Sequence, residues 1–549
     1  MKFISILFLF FLTSFLNVLL AQDVELKWGL PVKANESVPT TVLGKDETGF
    51  YIIKHHYYPD LIKQKYHSVV YLEKFDTSMN FLWTKKIEIY LTEYKKTVFE
   101  KIILINNKII VFASFYDSKT DTKKLFATHI SPAGVIDTNL CVVSAFDKLA
   151  SKNAISYDVT FSEKNNSILI FSSFKDTYKE KERFHYKVID DNFIMKNQAF
   201  IELAHSGNIT RIVDYTIDNA GNIHLVYKVD LQREVVDNES NDDTIHFNYY
   251  IHSYYPATKE FKEYDMRVRD YIITGISVLI DKDSRYMYVP GFYSDKRASA
   301  LRGTFISKID ILNKQVVYSK EKDFDLEFIA EVYAKPIDEF DKTKDEEQDE
   351  KKKGKEQLYD YDIVDLFVND KEEIVLVSEQ YYMRVVIKGT SILVGLMGGD
   401  VYETNYYYYN NVMVTKFDAT GDRLWCSNIP KFQKTADDGG LFSPIGVFTH
   451  NDVVYVIYND NPKNGTGIAS KQYRTNNPKN SQLTMVSVAS DGMLKKKVLI
   501  HAPIYGEELR TQPKFCSQIS DTQVVLIGCL SFNFGYLTYN YKLGKIDLK

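Results

Sequence analysis

Two ten-residue stretches, Lys74–Trp83 (KFDTSMNFLW) and Lys416–Trp425 (KFDATGDRLW), share a Lys-Phe-Asp opening and a Leu-Trp ending although they lie more than 300 residues apart. Each reads as the end of one apolar strand, a polar turn centred on Asp76 or Asp418, and the start of a returning strand. Weaker copies of this outer hairpin turn near Ser131, Asp190, Pro256, Asp310, Ala489 and Lys542. Before each outer hairpin stands an inner one, turning near Asp46, Asn106, Glu163, Asp218, Asp281, Asn369, Asn451 and Ser520. Two hairpins make a four-stranded unit, and self-similarity at this period is the mark of a β-propeller. The expectation is therefore an all-β chain forming a single propeller of eight four-stranded blades, with seven as the alternative should one hairpin be miscounted.

The outer turns recur at 53 to 71 residues except for one interval of 108, between Asp310 and Asp418. Two insertions account for the excess, a charged stretch at 338–357 (DEFDKTKDEEQDEKKKGKEQ) and a second at 389–409. The first has too few apolar residues to fold alone and reads as a disordered loop projecting from the ring. The ring also has to close. The last unit, ending GKIDLK, lacks a fourth strand, whereas VELKWGLPV at Val24–Val32 resembles one. The N-terminal strand is accordingly expected to complete the last blade.

Ahead of that strand, Lys2 and an apolar run from Phe3 to Leu20 lead to Ala21, Gln22 and Asp23. This is the order of a secretory signal peptide, residues 1–21, cleaved between Ala21 and Gln22 to leave the propeller at 22–549. No later apolar stretch reaches the roughly 20 residues of a spanning helix, so no membrane span is expected in the mature chain. The 549 residues carry a formal net charge of -5 with both signs interspersed, which argues against nucleic acid as a partner. With 40 Tyr and 34 Phe the composition suits pleated, half-buried strands. Four cysteines, Cys141, Cys426, Cys516 and Cys529, form no disulfide framework. A hairpin turning near Ser520 sets Cys516 opposite a residue close to Val525, which makes a Cys516–Cys529 bridge the lesser expectation.

Between Glu379 and Asn464 the segments EQYYMRVV, YYYYNNVMVTKFDATGDRLW, NIPKFQKTADDGG and YVIYNDNPKN resemble uncharacterised secreted propeller proteins of Bacteroidota-type bacteria. The resemblance covers about 85 residues and brings no established activity with it. It implies export to the cell envelope, in the periplasm or associated with the outer membrane. Release to the medium is the lesser expectation, because the closing residues read as propeller strand rather than as a separate secretion domain.

Two groups stand out as candidate sites. Tyr406, Tyr407, Tyr408 and Tyr409, with Tyr381 and Tyr382 upstream in the same unit, offer an aromatic surface for a protein partner or a sugar. Strand alternation would turn about half of them into the interior. Asp437, Asp438, Asn459, Asp460 and Asn461 flank one inner hairpin and offer oxygens that suit Ca²⁺, although Asp and Asn equally build turns. No cofactor is otherwise expected. A nucleophile elbow, a P-loop and a helical metal-binding His pair are all missing from the sequence. His55 and His56 occupy adjacent positions, which face opposite sides of a strand. The function expected is that of a non-enzymatic binding or scaffolding propeller engaging a protein partner through one face and its insertions. The alternative is a carbohydrate-active enzyme or glycan-binding protein with its site at the mouth of the central channel, where carboxylate pairs would have to gather.

Overall fold

In the computed structural model each part of the repeated decapeptide has a task. Phe75 and Phe417 are buried in the core, while Asp76 and Asp418 cap the turns that follow them. Asp76 Oδ1 accepts from the backbone N–H groups of Ser78 and Asn80 at 2.8 Å each, and Asp418 Oδ1 accepts from Thr420 and Asp422 at 2.9 Å. A pair of backbone bonds, from the first residue's N–H to the fifth residue's carbonyl and from the fourth residue's N–H to the first residue's carbonyl, closes turns beginning at Asp76, Ser131, Asp190, Asp218, Asn369, Asp418 and Ala489. All seven put their fourth residue at positive φ, from 59° at Glu372 to 87° at Gly421. This is a type I turn with a bulge, which leaves the flanking strands with the right twist.

The turn glycine also receives the neighbouring blade. A Cβ on Gly134 would lie 3.0 Å from the Trp83 ring, and one on Gly492 would lie 2.9 Å from Trp425. Trp425 further donates its indole N–H to Ser490 O at 3.0 Å. Beside each tryptophan the buried lysine of the motif reaches in the same direction. Lys74 contacts Pro132 O at 3.5 Å and Lys416 contacts Ser490 O at 3.4 Å, both in the next turn round the ring. Lys308, in an equivalent place, pairs with Glu372 of the following blade at 2.7 Å. The stretch that betrays the repeat is thus the one that joins successive blades.

The structure describes residues 24–549 except 35–36, 57–68, 148–150, 163, 175–180, 208, 231–246, 296–299, 333–357, 390–400, 469–471, 503–508 and 531–539. The expected signal peptide with Ala21 and Gln22, and the charged insertion at 338–357, lie outside the described residues. Eight antiparallel sheets follow one another along the chain, at 37–86, 98–146, 155–206, 210–266, 272–323, 361–436, 446–500 and 509–547. We number them blades 1 to 8. The last takes Glu25–Trp28 and Val32–Lys33 as its outermost strand, with Glu25 opposite Asp547 and Val32 opposite Tyr541. Eight blades and closure by the N-terminal strand agree with the expectation from sequence.

Eight buried apolar clusters lie one to each seam between blades, since alternate residues of a strand face opposite neighbours. Tyr51 and Ile53 join the cluster shared with blade 2, whereas Phe50 and Ile52 join the one shared with blade 8. The core is consequently a ring of eight seams around the central channel. Of the expected second insertion, residues 390–400 lie outside the described set, and Val401–Phe417 is a continuous strand paired with Ile374–Gly389. The four cysteines are free thiols, and Ser517 stands opposite Val525 as the hairpin reading required.

One seam residue makes the fold acid-sensitive. His185 in blade 3 is wedged between the Phe146 and Phe200 rings, 5.3 and 4.7 Å away, with Nδ1 buried and without a hydrogen-bond partner among the described residues. Burial, with a smaller push from Lys187, lowers its pKa from 6.5 to about 4. The unfolded chain takes up this proton more readily than the folded one, so the contribution of His185 is complete above about pH 6.5 and is lost as pH falls toward 4. His185→Leu should reduce the drop in urea midpoint between about pH 7 and about pH 4.5, leaving the neutral-pH midpoint little changed. An identical pH dependence in wild type and variant would refute this assignment.

Candidate functional site

The inner hairpins and the outer hairpins of blades 1 to 7 turn at the same end of their blades, so one face of the ring carries short turns; the outer turn expected near Lys542 is not formed, because Lys542 lies inside the strand Asn540–Asp547 and the N-terminal strand supplies the next one. The opposite face carries the connections between second and third strands and the crossings from blade to blade. The two longest of these join at blades 5, 6 and 7: the crossing from Asp323 to Tyr361, and the connection 461–481. The middle strands of blade 6 run to 16 and 17 residues, where those of blades 1 to 4 have 6 to 10. Pairing with the inner strand Tyr361–Val368 ends at Gln380, so the ribbon beyond it stands clear of the inner strand.

All six expected tyrosines sit in this ribbon. The register places Tyr381 opposite Tyr409 and Tyr382 opposite Tyr408, with ring centroids 4.6 and 4.5 Å apart. Cross-strand pairs share a face, so Tyr407 and Tyr409 turn to one side and Tyr406 and Tyr408 to the other. They do not form one platform. Tyr408 is buried, the other five are half-buried, and Lys434 lies 4.7 and 5.2 Å from the Tyr406 and Tyr408 rings. What the ribbon leaves open are Met383 and Val385, exposed by 50% and 43%. These two the sequence reading missed, although their alternation with Tyr382 and Arg384 was visible.

The five candidate cation ligands are held by the chain itself. Asp437 accepts from Asn405 N–H at 2.8 Å, and Asp438 from Thr435 Oγ1 and Gly440 N–H at 2.7 and 2.9 Å. Asn459 bonds Phe442 O and Thr511, Asn461 caps the turn Pro462–Asn464, and Asp460 lies 2.8 Å from Lys496. Among the described residues no three His, Cys, Asp or Glu side chains gather in a way that would hold a metal ion.

Charged residues the sequence reading passed over are buried beneath the ribbon. Lys431 and Glu379 pair at 2.7 Å with 1% and 4% of their side chains exposed. Burial pushes the Glu379 carboxyl up and the Lys431 ammonium down, against their mutual attraction. Both interrupt an otherwise apolar alternation, which was the available signal. In blade 4, His224 bridges Ser253 Oγ at 2.7 Å and Asp218 Oδ2 at 3.3 Å, the connectivity of a hydrolytic relay. All three side chains are buried, so no substrate reaches the serine and the trio fastens the Asp218 turn.

The innermost strands, which line the channel, carry Glu100, Asp158, Asp214, Asp362 and Asp365. Burial raises the carboxyls of Glu100, Asp214, Asp362 and Asp365. Asp158 is exposed and lies 3.5 Å from Lys101.

No protein-family model matches the chain, and no curated protein does. Solved structures give distant likenesses. The chain is similar to an ulvan lyase of a polysaccharide lyase family at 10% identity and a TM-score of 0.36, over 86% of this chain and 96% of that one. It is similar to the WD40 domain of SCAP from fission yeast at 8% identity and 0.34, over 96% and 98%. A third likeness is the β-propeller domain of the trilobed protease from Pyrococcus furiosus, at 10% and 0.34, over 86% and 99%. Likenesses this distant decide nothing about activity; the chain is a β-propeller, and its function has to be argued from its own residues.

Proposed function

We propose that this chain is an exported propeller of the bacterial cell envelope that binds or scaffolds a protein partner through the face carrying the long connections. The carrying observation is the blade 6 ribbon, which continues past its inner strand and exposes Met383 and Val385 on a support of stacked tyrosines. A rigid two-stranded support with apolar tips offers contact area at low cost in side-chain entropy. The test is Met383→Asp with Val385→Asp in the tagged full-length protein, purified from gently solubilised envelopes of its source cell. A partner recovered at stoichiometric level with the wild type and lost with the double variant is the expected result. A partner retained by both, or a wild type recovered alone, would refute the reading. Export is checked in the same preparation, since a mature chain should begin at Gln22.

A second reading, a glycan-directed site in the channel, is favoured by one observation. Glu100, whose carboxyl burial pushes up, lies on the inner strand of blade 2, and Asp158, 3.5 Å from Lys101, on that of blade 3, so two carboxyl groups in different surroundings face the channel. Release of reducing ends from neutral glycans would move this reading ahead of the first.

A further inference from the structure

The seam between blades 6 and 7 is apolar at its turn-bearing end, where Val377, Val412, Ile429, Val456 and Val486 pack together. Toward the face with long connections it becomes polar. Glu379 pairs with Lys431, and Asp460 with Lys496, and Lys431 also feels the Asp460 charge. Two carboxylates and two ammonium groups leave the place without net charge.

Around these pairs stand six side chains that are at most 5% exposed and have an atom without a hydrogen-bond partner among the described residues. They are Gln433 Oε1, Tyr458 OH, Gln472 Oε1, Thr475 Oγ1, Gln482 Nε2 and Thr484 Oγ1. The register brings them to one place: Tyr458 is opposite Thr484, Asp460 is opposite Gln482, and Gln433 is bridged to Thr475. The chain 472–475 closes the seam from above through two backbone bonds, Lys434 N–H to Thr475 O at 3.0 Å and Thr475 N–H to Phe432 O at 2.8 Å.

Buried polar atoms left unpaired are costly, and six in one seam is many for a native fold. Their chemistry describes what would satisfy them. Three hydroxyls both donate and accept, two carbonyl oxygens accept and one amide donates. An ion of either sign would meet a like charge in one of the two pairs. We propose that the blade 6–7 seam encloses ordered water that bridges these groups. Water, neutral and both a donor and an acceptor, fits as a bridge between such groups. The site is separate from the exposed ribbon residues on which partner binding rests.

The test is the near-isosteric double variant Tyr458→Phe, Thr484→Val in the full-length protein. If an occupant bonds these hydroxyls, their removal should lower Tm by about 2–4 °C. An unchanged or raised Tm overturns the proposal, because deleting unpaired hydroxyls relieves a penalty. Should the variant not fold, a crystal structure of the wild type decides. Discrete density within hydrogen-bond distance of Tyr458 and Thr484 is expected, whereas side chains bonded to one another with nothing between them would overturn it.

Discussion

Deleting Val24–Lys33 should abolish cooperative unfolding of the native ring or lower Tm by tens of degrees. This stretch supplies the outermost strand of blade 8, pairing Glu25–Trp28 with Gly544–Asp547 and Val32–Lys33 with Asn540–Tyr541. It also sets the Trp28 ring against Gly528 and Gly544, where an added Cβ would lie within 3.0 Å of it. Val24 is buried in the seam with blade 7. Loss of this apolar area and of the ladder bonds amounts to about 5–10 kcal/mol, comparable with the whole stability of a domain. It would also leave Asn540–Asp547 as an unprotected edge, open to pairing with another chain. The measurement is thermal unfolding with light scattering. A truncated chain that stays monomeric and melts with the wild type would show that the ring is closed by something else. Trp28→Ala should move Tm in the same direction by a smaller amount.

Glu379→Ala is expected to cost about 3–5 kcal/mol, because it strands the Lys431 ammonium in a seam where it is 1% exposed. Lys431 would keep its hydrogen bond to Tyr409 O, at 3.1 Å, and the more distant Asp460 charge, and Ile445 N–H would lose the carboxylate that accepts it at 3.3 Å. Replacing both partners, with Glu379→Leu and Lys431→Met, should cost far less than either single change and may be compared by a double-mutant cycle in urea. Equal losses in the single and double variants would mean that the pair does not act as a unit. The same cycle bears on the hydroxyl site above it, since tyrosine, threonine and glutamine side chains share that seam.

The sequence by itself determined the architecture. A propeller repeats one local problem, turning a strand back at fixed intervals, and the residues that solve it lie within ten positions of each other. Asp76 and Asp418 cap their own turns, Gly421 takes its own positive φ, and Phe417 fills its own blade. Such information is local, so it survives in the linear chain, and even the closing strand was legible because Val24–Val32 and the unfinished last unit each announced a missing neighbour.

The site was legible only as a set of names. Tyr381 and Tyr409 are 28 residues apart, and only the long blade 6 hairpin makes them a pair; strand pleating then sends Tyr406 and Tyr408 to the other side. Asp460 looked like a cation ligand because nothing near it in the chain shows Lys496, which arrives from the outer strand of the same blade. Tertiary structure alone decided which polar residues are buried and against what. Burial and charge pairing depend on the seam between two sheets, and a seam is written in neither of them separately.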